Sequence, residues 1–391
     1  MVTKTHTISL GAVVAVIVLF SGVYFLMTSD AGSVTYIREG AVIASSSGEV
    51  AQTQGEVPVV PAWPLSLDTT EYDKRILALA DYKPETTITS MTASGTPTTT
   101  VIATPLVYSS TTNIMIKDKR WPASAVYPQG GAILPFKRIL AYYGNFYSKH
   151  MGILGEYSPD EVVRRLAETK KLWETADPNT PVLEAIEYIA MVAQADAGAD
   201  GMYRAMMPAV EIEKAYTLAK KIDGILILDL QIGLSSLSKE LPKFETYLMR
   251  PEVHLALDPE FSMKSGDKPG TVIGTFDAKD INYTIDYMSD IVRAHKLPPK
   301  VLLVHRFTDN MVTNATLITP TPEVQVVMVM DGWGPKENKR GTYSRVIEPE
   351  PVQFAGIKMF YKNDLKTPST GLLTPAEVLS LHPKPIYIQY Q

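Results

Sequence analysis

The chain contains no cysteine, and that absence removes several chemistries at once. Disulfide cross-links, thiolate metal sites and cysteine nucleophiles are excluded, as is a lipid anchor on an N-terminal cysteine. Runs of one charge are also missing. The 37 basic and 42 acidic residues are interspersed and leave a net charge of −5, so there is no basic footprint for nucleic acid and none is expected as a partner. Glycine-rich phosphate loops, histidine pairs at metal-binding spacing and a serine nucleophile elbow do not occur either, which removes support for nucleotide chemistry, zinc hydrolysis and acyl transfer.

Apolar sequence is plentiful. With 45% hydrophobic residues in 391, the chain can form one large domain with attachments. Ile8–Met27 is an almost unbroken apolar segment behind Lys4, and about twenty such residues span a bilayer as a helix. The alternative is a cleaved signal peptide, whose apolar region is usually about 7–15 residues; Ala31 and Gly32 offer it a poor cleavage site. The expectation is a single-pass cytoplasmic-membrane anchor with the N-terminus inside and the functional domain extracytoplasmic, secretion being the alternative. On this reading residues 1–28 are a cytoplasmic stub and transmembrane anchor, 29–70 a flexible tether, 71–130 a wrapping segment and 131–391 the main domain. Within the wrapping segment, Ile76, Leu77, Leu79 and Ala80 give Glu71–Tyr82 the apolar face of a short helix.

The main domain carries eight short apolar runs: Ile139–Asn145, Val182–Tyr188, Gly224–Gln231, Val253–Glu260, Val301–Phe307, Val324–Asp331, Gly356–Lys362 and Pro385–Gln389. Amphipathic stretches separate them, notably Pro208–Ile222, Ser236–Met249 and Asp277–Lys296. Ser158-Pro159-Asp160-Glu161 and Thr374-Pro375-Ala376-Glu377 are N-cap signatures that open further helices. Eight consecutive strand–helix units predict an α/β fold, a (β/α)8 TIM barrel. The polar stretch between Asp331 and Phe354 reads as a long loop at the barrel mouth. No helix follows the eighth run, so the Glu71–Tyr82 helix is expected to cover the outer face between the last strand and the first.

In such a barrel the site lies at the strand C-termini, where this sequence places Glu187, Asp229, Asp258, Glu260, His305 and Asp331. Side chains two apart share a strand face. Asp258 and Glu260 therefore fall in the lumen with Asp229 and Gln231, His305 and Phe307, and Asp331 and Trp333. Converging carboxylates repel one another, and burial disfavours their charge, so at least one is expected to hold a proton near neutrality. Glycoside hydrolysis uses that arrangement, with one acid protonating the leaving oxygen and a second group stabilising or attacking the sugar. Glu260 is the expected acid, with Asp258 holding and tuning it and Asp229 or Asp331 orienting water or an N-acetyl group. Glu187, Gln231 and His305 are expected to contact substrate, and Tyr142, Tyr143, Trp333 and Tyr361 to supply flat surfaces for sugar rings. The same oxygen-rich set with one imidazole also suits Mg²⁺, Mn²⁺ or Ca²⁺, so no cofactor is required but a divalent metal stays open.

Tyr142-Tyr143-Gly144, the Leu183–Val192 stretch with Glu187, Gly201-Met202-Tyr203-Arg204, Leu228-Asp229-Leu230-Gln231, Ala256-Leu257-Asp258-Pro259-Glu260, His305-Arg306-Phe307 and Met330-Asp331-Gly332 carry a resemblance. Through them, residues 139–391 resemble a largely uncharacterised group of bacterial secreted or membrane-anchored TIM-barrel proteins with a glycoside-hydrolase-like barrel. The resemblance implies an extracytoplasmic barrel acting on polysaccharide or peptidoglycan. Asp258-Pro259-Glu260 is also similar to the Asp-x-Glu at the fourth strand of barrel-fold muramidases, although Tyr143 and Asn145 stand where those enzymes carry a first-strand aspartate. Retaining glycosidases with glutamates on strands four and seven match less well, because the seventh run ends Phe360-Tyr361-Lys362. A non-catalytic barrel that binds glycan or another protein is the competing class.

Overall fold

The computed structural model describes residues 63–80, 125–350 and 352–391 in full, together with the backbone of four short strands between residues 87 and 115. The apolar segment expected to cross a membrane at 8–27 lies outside these residues. Among the described residues no helix is long and apolar enough to cross a membrane.

All eight apolar runs form strands: β1 Arg138–Gly144, β2 Val182–Ala193, β3 Ile225–Leu230, β4 Val253–Leu257, β5 Lys300–Arg306, β6 Val324–Met330, β7 Phe354–Met359 and β8 Tyr387–Tyr390. They pair in chain order, all parallel, and β8 and β2 both pair with β1, closing the ring. Helix α1 Thr69–Leu79 precedes the strands, and α2 Pro159–Ala176, α3 Ala209–Lys221, α4 Ala278–His295, α5 Lys336–Val346 and the short α6 Pro375–Leu379 lie between them. The predicted caps form. Ser158 accepts from the Glu161 amide at the start of α2, and Thr374 and Glu377 make a reciprocal capping box at α6.

Strand alternation sorts the core into two layers. Leu140, Ile186, Leu228, Leu255, Val304 and Met328 pack outward against the helices, whereas Ile139, Ala185, Ile227, Ala256, Leu303 and Val327 fill the lumen.

Three expectations need correction. The stretch after Asp331 is not one long loop, because α5 occupies its middle and buries Lys339, Tyr343 and Val346. The Ser236–Met249 helix is broken into two single turns, Leu237–Glu240 and Glu245–Leu248, separated by a 3₁₀ turn containing Pro242. Helix α1 does not cover the outer gap between β8 and β1. Tyr72, Ile76 and Leu79 join the lumenal cluster with Leu134, Val301 and Phe354, so α1 plugs the amino end of the barrel. The outer gap is closed by α2, which touches α6 and whose Trp173 Nε1 donates to the Tyr390 hydroxyl at 3.2 Å.

Candidate active site

At the carboxyl ends of the strands opens a cavity of about 760 Å³. Strand β4 stops at Leu257, and Asp258 caps the 3₁₀ turn Pro259–Phe261 that follows. One Asp258 oxygen accepts from the Glu260 amide at 3.1 Å and the other from Gln231 Nε2 at 3.3 Å. Asp258 and Glu260 both line the cavity as expected, but the turn, rather than continued strand alternation, brings Glu260 there. Among the described residues no hydrogen bond or ion pair reaches the half-buried Glu260 carboxyl. Burial pushes its pKa up, with Lys358 pulling the other way.

A hydrogen-bonded floor lies below. Glu187 on β2 accepts from the Tyr387 hydroxyl through one oxygen and faces His305 Nε2 at 3.1 Å through the other. Gly356 makes room for this, since a side chain there would meet the Tyr387 ring at 2.9 Å. Asp229 accepts from the Tyr143 hydroxyl at 2.8 Å, and its second oxygen is buried without a partner. His305 Nδ1 faces Asp331 at 3.6 Å, beyond hydrogen-bond reach. Desolvation raises the Glu187 carboxyl to about 7 and the Asp229 carboxyl to about 6, and holds His305 below its ordinary value and so neutral at pH 7. It also raises Asp331, against the pull of His305, and raises Asp258 strongly with help from Asp229, Asp331 and Glu260.

The expected site residues thus separate into two tiers. Asp258, Glu260, Asp331, Gln231, Tyr143 and Trp333 line the cavity. Glu187, Asp229 and His305 sit beneath it and do not. Tyr361 and Tyr142 lie elsewhere: both face outward, Tyr361 stacking on Tyr390 with centroids 5.1 Å apart and Tyr142 bonding Thr169. For Tyr361 the cause is register, because β7 ends at Met359, two residues before it.

That register exposes a residue the sequence reading missed. Lys358 is the last lumenal side chain of β7, lines the cavity and is only 5% exposed. Its ammonium lies 3.8 Å from the centre of the Tyr143 ring. No hydrogen bond or carboxylate contact to it forms among the described residues, so its donors remain available to the cavity. The readable signal was Phe354-Ala355-Gly356-Ile357-Lys358, whose alternation puts a lysine in line with two lumenal positions.

Below Trp333 the mouth is rigidly tied. Lys339 of α5 donates to the carbonyls of Gly332 at 2.8 Å and Lys358 at 2.6 Å, and pairs with Asp364 at 3.1 Å. Asp364 in turn accepts from the amides of Gly334 and Phe360, each at 2.9 Å. Trp333 stands between these anchors with 59% of its surface exposed.

Among the described residues one group of side chains could gather a metal. One donor atom each from Glu187, Asp229 and His305 lie within 4.8 Å of one another, so this buried triad could hold an ion. Asp258, Glu260 and Asp331 are not part of that group, and most of the triad's oxygens are already hydrogen-bonded.

No family model matches the chain, and no curated protein matches it in sequence. Among solved structures it is similar to GH26C from a Muricauda species, at 9% identity and a TM-score of 0.27, over 64% of this chain and 70% of that one.

Proposed function

We propose that the barrel is a glycoside-hydrolase-like enzyme that cleaves polysaccharide by carboxylate acid/base catalysis at the cavity of its carboxyl end. The observation that carries this reading is Glu260, a carboxyl with no partner among the described residues and a raised pKa on the wall of an open cavity. A carboxyl in that state holds its proton to higher pH than a free glutamate and can give it to a glycosidic oxygen. Asp258 and Asp331 line the same cavity, and whichever is ionised can stabilise positive charge developing on the sugar or take a proton from water. Lys358 and Gln231 offer N–H donors for sugar hydroxyls, and the exposed Trp333 face offers a platform for a ring. A cell-envelope glycan as the substrate rests on the apolar segment Ile8–Met27, which would hold the barrel outside the cytoplasmic membrane.

Metal-assisted hydrolysis is the weaker reading, because the residues that could gather an ion lie beneath the floor rather than on the cavity wall. The test is to incubate the full chain with peptidoglycan and a panel of polysaccharides and measure new reducing ends. Glu260→Gln should lower turnover about 10²–10⁴-fold while leaving the melting temperature unchanged. A Glu260→Gln variant with an unaltered rate defeats the assignment. Glycan binding without any product would instead make the barrel a binding module.

A further inference from the structure

A smaller cavity, of about 250 Å³, lies at the same end of the barrel as the catalytic one, between the loop that follows β1 and the segment that follows β7. The two adjoin, because His150, Phe360 and Gln391 line both. Tyr157 comes to the smaller cavity from the first loop and Tyr361 from the segment after β7. Tyr361 is held as a fixed plane. One side of its ring stacks on Tyr390 with centroids 5.1 Å apart and planes inclined by 23°, its hydroxyl lies 3.3 Å from that of Tyr142, and its amide donates to the Gln391 carbonyl at 2.8 Å. Tyr157 is backed in a similar way by the Arg165 guanidinium, 4.0 Å from its ring centre. Lys362 pairs with Glu156 at 2.6 Å and so ties the two walls together, while Lys149 stands exposed beside them.

We infer that this hollow is a second sugar subsite, so that the ligand is a glycan chain running from the catalytic cavity over His150, Phe360 and Gln391 to a ring stacked on Tyr361. The identity of the ligand as a glycan rests on the hydrolase reading above. An aromatic plane buttressed on one side offers its other face to the C–H side of a sugar at little ordering cost. Around it, the Lys149 ammonium and the Lys362–Glu156 pair supply donors and acceptors for hydroxyls, the usual combination of a flat apolar floor with a few placed polar groups. Continuity decides the length of the ligand. Two hollows that share three wall residues are filled together only by a chain, so a polymer segment should bind better than a disaccharide.

Calorimetric titration of the full chain carrying Glu260→Gln, which keeps the sugars uncut, tests this with chito-, cello- and manno-oligosaccharides from dimer to hexamer. In at least one series the hexamer should bind at least about fivefold more tightly than the dimer. Tyr361→Leu keeps an apolar side chain against Tyr390 but removes the plane, and should cut that hexamer-to-dimer ratio about fivefold, whereas Tyr361→Phe should preserve it; a merely structural tyrosine would weaken both lengths alike. Should Tyr361→Leu fail to fold, Asn363→Trp fills the hollow from its own incompletely buried wall and should lower the ratio in the same way. A ratio near one in all three series, no saturable binding at any length, or a ratio unaltered in a folded Tyr361→Leu or Asn363→Trp overturns the inference. New reducing ends from the parent together with a flat length series would leave the hydrolase standing and remove only the subsite. Length-dependent binding without any product would do the reverse.

Discussion

The two ends of this barrel bury polar groups for opposite purposes. At the amino end the buried side chains include amides and a neutral imidazole that tie backbone to backbone. Gln325 donates to the Leu134 carbonyl at 2.6 Å and accepts from the Leu134 amide at 3.1 Å; Gln353 accepts from Val326, and His254 Nδ1 from Val301. At the carboxyl end the buried groups are carboxyls crowded round one imidazole, with Asp229, Asp331 and His305 each keeping an atom without a partner; unpaired atoms occur at the amino end too, on Arg138, His254 and Gln353, so the difference lies in the crowding of carboxyls. Neutral groups that complete backbone hydrogen bonds add stability, while confined carboxyls store unfavourable free energy whenever they ionise.

The sharpest way to break the comparison is at Gln325. Gln325→Leu keeps the side chain's approximate volume but strands the N–H and C=O of Leu134 in the core, and each orphan costs roughly 1–3 kcal/mol. A loss of about 4 kcal/mol in denaturant unfolding is expected, with glycan hydrolysis unchanged below the melting transition. A loss under about 1 kcal/mol would show that solvent reaches Leu134 and that the amino end is not sealed.

The carboxyl end should respond with the opposite sign. The Glu187 carboxyl rises from 4.5 to about 7 on folding. An acid whose pKa is raised in the folded state stabilises below its unfolded value, and that stability is lost as pH climbs through the folded one. The window is therefore pH 4.5 to 7, and at about 1.4 kcal/mol per pH unit the loss is about 3 kcal/mol. Glu187→Gln cannot ionise, so at pH 8 it should be more stable than the parent by about that amount, with no gain at pH 4. His305, held neutral, titrates in the other direction in both proteins and largely cancels from the difference. A destabilised Glu187→Gln at pH 8 would mean that the charge on Glu187 is required by a partner, such as a metal ion in the triad.

Much of this division could be read from the chain, because it follows from periodicity. All eight strands coincide with apolar runs, and alternation put Asp229, His305 and Asp331 in the lumen. What alternation cannot supply is where a strand stops. Beyond Leu257 and Met359 the backbone turns, so Glu260 reached the cavity by a different route and Tyr361 missed it, while Lys358 went unnoticed inside an apolar run. Helix α5 was hidden because its buried side comprises Lys339, Tyr343 and Val346, and a lysine that binds carbonyls from below carries no apolar signal. The position of α1 was hidden for another reason. Its apolar face was plain, but an amphipathic helix packs equally well on a barrel's flank or across its end, and only the lumenal partners Leu134 and Phe354 distinguish the two.

Lys358 permits a finer test of how the carboxyl end is poised. Its positive charge lowers the pKa of Glu187, Asp229, Asp258, Glu260 and Asp331, partly offsetting the desolvation that raises them all. Replacing it removes the offset. In Lys358→Met the Glu260 proton should be held to higher pH, and since a general acid works only while protonated, the alkaline limb of the hydrolysis profile should move upward. Turnover at the optimum should also fall, because the sugar loses an N–H donor in the cavity, but a lower rate alone would not distinguish this role from a structural one. The displacement of the limb does distinguish them. Lys358→Arg, which keeps the charge, should return the limb to its original place even if the longer side chain binds substrate poorly. A limb that stays put in Lys358→Met would show that the acid on the cavity wall does not feel this ammonium, and that the proton donor lies farther from β7 than Glu260.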